Sequence, residues 1–87
     1  MNATEVAERI EAYARAHFAI SSTDPHFGRD VDLFDGGYVD SLGLAEMLEY
    51  LESEWGVAVS DEELLSDEFA TIDGMATTIC RLREEAP

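Results

Sequence analysis

Apolar residues recur every three or four positions in three separate stretches of this chain, and nowhere do they alternate every second position. That period belongs to helices with one buried face and argues against a sheet. In residues 3–20, Val6, Ile10, Tyr13, Ala14, His17 and Phe18 share one side, with Glu5, Glu8, Arg9, Glu11 and Arg15 largely between them. In the second stretch, residues 41–54, Leu44, Met47, Leu48 and Leu51 make a stripe that Trp55 extends, and Glu46, Glu49, Glu52 and Glu54 supply the wet face. Ile72, Met75, Ala76, Ile79 and Leu82 form the third stripe.

Capping residues sit where these stripes begin and end. Thr4 or Asn2 is placed to cap the first helix, Asp40 the second and Thr71 the last, each offering a side-chain oxygen to a first-turn N–H. Gly56 stops the second helix, and Arg81 and Arg83 suit the negative pole of the last. Gly43 is an oddity, since glycine inside a helix costs about 1 kcal/mol relative to alanine, although less in a first turn. Val57-Ala58-Val59 is too short for a sheet and reads as an apolar connector. Ser60 and Glu63 carry the capping-box pattern, so one short, irregular helix is predicted within residues 61–70. The expected fold is all-α: a small four-helix bundle of three main helices plus one short helix, in a single domain spanning 1–87.

Residues 21–39 are rich in Ser, Asp, Gly and Pro and hold no period, so they read as a long connection. Asp24-Pro25 marks a turn, and Val31, Leu33 and Phe34 are apolar enough to pin the loop to a core. Ordered loops of this length are uncommon and often functional.

Charge narrows the function. Twenty acidic residues face five arginines, and there is no lysine. Between Asp30 and Cys80 stand fourteen acidic residues and not one Lys or Arg. Such a surface repels phosphate backbones and anionic lipids, which argues against nucleic-acid and membrane binding, and it steers basic patches of partner proteins. No apolar run approaches the roughly 20 residues that span a bilayer. The N-terminus lacks the basic-then-apolar layout of a signal peptide, and lone Cys80 fits a reducing compartment, so a cytoplasmic protein is expected.

Several chemistries fail on spacing. A nucleophile elbow needs a strand and a glycine two residues before its serine; Val39-Asp40-Ser41-Leu42-Gly43 has neither. His17 and His26 are the only histidine bases, and His17, on the apolar stripe, reads as a buried or semi-buried structural residue. Asp30, Asp32, Asp35 and Gly36 hint at a calcium loop, but Phe34 and Ser41 occupy ligand positions. Cys80 and the histidines lack zinc spacing and read as structural, and Gly36-Gly37 lacks the lysine of a nucleotide loop.

What remains is Ser41, at the predicted start of a helix after the turn-like Asp35-Gly36-Gly37-Tyr38 and among carboxylates. A serine there is exposed, and the positive end of the helix dipole favours a phosphate-containing group on its hydroxyl. Taken alone, Asp-Ser-Leu is an ordinary helix cap; its surroundings weigh more.

On these residues the chain resembles the acyl carrier proteins. The likeness covers nearly the whole length: an amphipathic first helix, a long loop, and Asp40-Ser41-Leu42 at the head of the second helix. Leu51-Glu52-Ser53-Glu54-Trp55-Gly56-Val57 is similar to the family's Leu-Glu-x-Glu-Phe-Gly/Asp-Val, and Val59-Ser60-Asp61-Glu62-Glu63 to its Ile-Pro-Asp-Glu-Glu, at the family's distance from Ser41. The resemblance implies that Ser41 carries 4′-phosphopantetheine, attached from coenzyme A by a phosphopantetheinyl transferase, with an acyl or aminoacyl group held as a thioester. Ser41 is then an anchor and the protein no enzyme. By family position, Asp40 takes part in transferase recognition, and Leu42, Ala45, Glu46, Glu49 and Glu52 face partners, with Asp61 and Glu62 extending the acidic surface.

Departures from the family refine the expectation. Ser60 replaces the usual proline, which only changes a cap. Gly43 after Asp-Ser-Leu looks more like D-alanyl carrier proteins and the free-standing carriers loaded by adenylating ligases in natural-product pathways than like fatty-acid carriers. Peptidyl carrier domains usually show Gly-Gly-His/Asp-Ser, which is absent here. The chain opens on Met1 and ends soon after its last stripe, which suggests a discrete carrier rather than an excised domain, and a monomer is expected. Its expected partners are a transferase, an adenylating ligase or acyltransferase that loads it, and downstream synthases or transferases with basic docking patches. The rivals are a fatty-acid synthesis carrier and an unmodified acidic adaptor.

Overall fold

Asn2, rather than Thr4, starts α1 (Ala3–His17), its side-chain oxygen accepting the Glu5 N–H at 2.9 Å. The computed structural model describes residues 2–85; Met1, Ala86 and Pro87 lie outside the described residues. Helix α1 stops three residues short of the predicted Ile20. Ala19 takes the left-handed φ of 53°, and the Ile20 N–H turns back to the Arg15 carbonyl. That bend swings Phe18 over the start of α2.

Helix α2 (Ser41–Trp55) runs one residue further than predicted and ends at Gly56, which adopts the left-handed φ of 64°. The predicted single short helix is instead two pieces, α3 (Asp61–Leu64) and a 3-10 turn (Asp67–Ala70). Both halves of the capping box are present: the Ser60 hydroxyl accepts the Glu63 N–H, and the Glu63 carboxylate accepts the Ser60 N–H. The Ser66 hydroxyl then donates to the Glu63 carbonyl at 2.7 Å, closing α3 and letting the chain drop Phe69 into the core. Helix α4 (Ile72–Glu85) starts with the Thr71 hydroxyl accepting the Gly74 N–H at 3.0 Å. Among the described residues there is no strand, and the architecture is the predicted small all-helical bundle.

The core is built mainly where α1 packs on α4. Ile10, Leu33, Met47, Leu51, Phe69, Ile72, Met75 and Ile79 are fully buried in it. The stripes are narrower than the sequence suggests. Leu44 and Leu48 are only half-buried, and Leu82 sits at the edge, outside the core cluster. His17 is exposed, not a core residue: its ring stacks on Tyr13 at 4.9 Å, and its Nε2 lies 2.5 Å from a Glu46 carboxylate oxygen. The last turn of α1 reaches past the apolar interior, so its stripe meets aromatic rings and an acid instead.

The long connection is held at several points. Leu33 donates its N–H to the Ala70 carbonyl at 2.9 Å, and its own carbonyl accepts from Tyr38 and Val39. Phe27 and Val39 join the core, while Val31 and Phe34 are half-buried. The Arg29 carbonyl accepts the Asp73 N–H at 2.9 Å. The Arg29 guanidinium and that of Arg15 both bond Glu11, at 2.7 and 3.0 Å. Asp32, from the would-be calcium loop, instead accepts the N–H groups of Phe34 and Asp35 and shapes a turn.

Two outcomes follow from this packing. A Cβ at Gly74 would lie 1.6 Å from the Glu68 carbonyl oxygen, so Gly74→Ala must force the 3-10 turn off α4. Helix propensity alone would make that change stabilising by about 1 kcal/mol. We expect the opposite, a loss of about 3 kcal/mol or more, read as a Tm drop of at least ~10 °C. The second outcome concerns Glu11, whose pKa is lowered chiefly by its hydrogen bond to Arg29, with burial opposing and Arg15 adding. A depressed carboxylate pKa stabilises the fold above its unfolded value and ceases to do so as pH falls through the folded one. Glu11→Gln is therefore expected to cost about 1 kcal/mol or less of stability at neutral pH for so open a network, read as a lower Tm. The gap to wild type should close as the pH is taken down through the carboxylate range, in parallel thermal melts.

Candidate attachment site at the start of α2

Asp40 decides where α2 begins. Its backbone is extended, its carboxylate accepts the Gly43 N–H at 2.8 Å, and its carbonyl accepts the Leu44 N–H at 2.8 Å. Ser41 is consequently the first helical residue, and it is exposed. The N–H groups of Ser41 and Leu42 have no partner inside the helix and point out of its positive end. No acidic residue lies in the first turn of α2 itself. The donor set thus fits an anion on the Ser41 hydroxyl.

Gly43 has a steric reason that the sequence hides. It is buried, and a Cβ there would meet Phe18 at 3.0 Å, Val39 at 3.2 Å and the capping Asp40 oxygen at 3.3 Å. The missing side chain lets the Phe18 ring, delivered by the bend after α1, close on the first turn of α2. The same gap leaves the Asp40 cap undisturbed.

Of the residues assigned to the partner-facing side, Leu42, Ala45 and Glu49 are exposed on α2, as are Asp61 and Glu62 in the first turn of α3. Asp40 is exposed while it caps. Glu46 and Glu52 are half-buried and already engaged: Glu46 with His17, and Glu52 by accepting the Val59 N–H at 2.9 Å. Glu52 thereby clamps the apolar connector to α2. Burial pushes the Tyr13 phenol up, and the nearby charges of Glu46 and Glu49 add to that shift. Leu65, which sequence reasoning passed over, is 83 % exposed. Its signal was the Leu64-Leu65 pair beside a four-residue helix, where only one leucine can turn inward; Leu64 does.

The arginines are used elsewhere. Arg9 pairs with Glu54, Arg15 and Arg29 with Glu11, and Arg81 with Glu63 and Glu85, while Arg83 donates to the Trp55 carbonyl. The span from Asp30 to Cys80 contains no Lys or Arg of its own, and among the described residues only Glu54 and Glu63 of its carboxylates are paired with an arginine. Half-buried Cys80 is free. Among the described residues no group of three His, Cys, Asp or Glu side chains is arranged to hold a metal, and no helix is long and apolar enough to cross a membrane.

Residues 19–79 match the family described as the phosphopantetheine attachment site. The chain belongs to that family of carrier proteins. Its domain is the site of covalently attached 4′-phosphopantetheine, which makes that group the cofactor of this carrier. D-alanyl carrier proteins from three strains of Streptococcus thermophilus are each 35% identical to it over 54 residues. That span covers 62% of this carrier and 68% of each relative.

The cap carries a measurable share of this arrangement. Asp40→Ala removes the acceptor for the Gly43 N–H and is expected to cost about 1 kcal/mol, or roughly 4–8 °C in Tm. Asp40→Asn, which keeps a capping oxygen, should recover most of that loss in the same melts.

Proposed function

We propose that this chain is a discrete acyl or aminoacyl carrier, a single domain over 1–87, whose Ser41 hydroxyl bears the phosphopantetheine. The observation that carries the reading is an exposed serine at the first position of a capped helix, inside the segment matched by the attachment-site family. When bound, the cofactor supplies a terminal thiol that holds cargo as a thioester. The chain's own part is to present the Ser41 oxygen to solvent, to offer the Ser41 and Leu42 N–H groups to the phosphodiester, and to keep cations away from the face partners approach. Ser41 is a tether, and the protein is a substrate of a phosphopantetheinyl transferase.

Asp40, Leu42, Ala45, Glu46, Glu49, Glu52, Asp61 and Glu62 form the docking side in this reading, meeting the transferase, a loading ligase or acyltransferase, and downstream enzymes with basic patches. Its setting is cytoplasmic, which the lone free Cys80 supports, and it works as a monomer, kept apart from other copies by a net charge of −15. Gly43 after Asp-Ser-Leu favours natural-product biosynthesis of the polyketide or nonribosomal-peptide type over fatty-acid synthesis. A D-alanyl carrier is the second reading, favoured by the relatives that bear that name.

The test is incubation with coenzyme A, Mg²⁺ and a broad-specificity phosphopantetheinyl transferase, followed by intact mass. Wild type is expected to gain one phosphopantetheinyl group and Ser41→Ala none. Charge reversal at Glu46 and Glu49 should slow the gain at low salt. A wild-type protein that keeps its mass would leave only the unmodified acidic adaptor.

A further inference from the structure

Among the described residues only two large apolar side chains are exposed, Leu42 at 69 % and Leu65 at 83 %. Leu42 adjoins Ser41 in the sequence. Leu65 lies in the link between α3 and the 3-10 turn, on the wall of an open cleft of about 290 Å³. Phe34, Leu44 and Leu64 supply the apolar lining of that cleft, and Asp32, Asp35 and Asp67 its acidic part. The cleft therefore joins the start of α2 to the α3 segment.

Leu65 is not exposed through looseness. Its N–H is bonded to the Asp61 carbonyl at 3.0 Å, the capping box locks the turn before it, and the Ser66 side chain closes the turn after it. Three residues beyond Ser66, the fully buried Phe69 fixes the chain to the core. A leucine held out on a fixed backbone needs no loop ordering when a partner covers it, so more of the contact shows as affinity. Its neighbours Asp61, Glu62 and Asp67 are exposed acids outside every ion pair among the described residues.

We propose that Leu65, on the wall of the acid-lined cleft, is a second apolar anchor of the docking surface, in addition to Leu42 on the first turn of α2. The partner it fits is a protein whose docking face sets an apolar hollow inside a ring of Lys and Arg. Charge complementarity selects that occupant: two copies of this chain would each bring a net charge of −15 to the contact. The inference rests on the reading of Ser41 as the tether and deepens it by naming a contact that governs partner affinity.

The probe is the broad-specificity transferase with coenzyme A, acting on unmodified wild type, Leu65→Ser and Leu65→Arg. Both substitutions are at an exposed position and should leave Tm within a few degrees. Leu65→Ser is expected to raise KM about tenfold with kcat changed by less than about twofold. Leu65→Arg should raise it more, with the excess shrinking at high salt as the repulsion from the basic ring is screened. If wild type is modified and KM is the same for all three, the second anchor is overturned while Ser41 stands as the tether. If wild type is not modified at all, both readings fall. A dimer in sedimentation that Leu65→Arg dissociates would assign the surface to a second copy and overturn the proposal. So would unchanged KM together with faster hydrolysis of a loaded acyl group, which would assign it to the cargo.

Discussion

The hydrogen bond from the Gly43 N–H to the Asp40 carboxylate fixes the register of everything functional in this protein. Moving the start of α2 by one residue would rotate the helix by about 100° relative to the loop that feeds it. Ser41 would then leave the exposed first position, and the acids that follow would leave the side proposed for docking. A single neutral-to-charged contact sets this boundary, but it is not isolated. Phe18 presses on the same turn, and Val39, immediately before Asp40, is buried. Capping chemistry selects the residue and packing holds it there.

The second constraint is the separation of charge. A surface with this excess of carboxylates repels itself, and the few arginines relieve that repulsion locally. They do so along α1, in the loop at Arg29 and at the end of α4. The start of α2 receives none of them, and in the first turn of α3 only Glu63 is paired, which leaves Asp61 and Glu62 open. The acidic field on that side is thus the result of spending every cation on holding the bundle together. His17 is a partial exception, because it leans from α1 onto Glu46 and leaves Glu49 the less encumbered acid of the pair.

Helix positions were legible because each depends on local spacing and a cap. The Asp40, Ser60 and Thr71 caps and the Gly56 stop all lie where the residues alone put them. The misreadings share one cause, namely contacts from distant segments. The split of the short helix comes from Phe69 seeking the core, the exposure of His17 from the length of α1 beyond that core, and the half-burial of Leu44 and Leu48 from the limited cover over α2. Gly43 looked like a cost in helix propensity until Phe18 supplied its reason.

By itself, then, the order of residues determined that this is an all-helical carrier with a capped serine and an acidic second helix. Periodicity and capping act over four or five residues, so a sequence displays them directly. Only the tertiary structure decided which acids remain open, which leucine stands out, and what Gly43 and Gly74 must leave room for. Those depend on pairs beyond the reach of a single cap or helical turn, from Glu68 with Gly74 and Glu52 with Val59 across a bend to Phe18 with Gly43 across the long loop, whose meeting no helical period encodes.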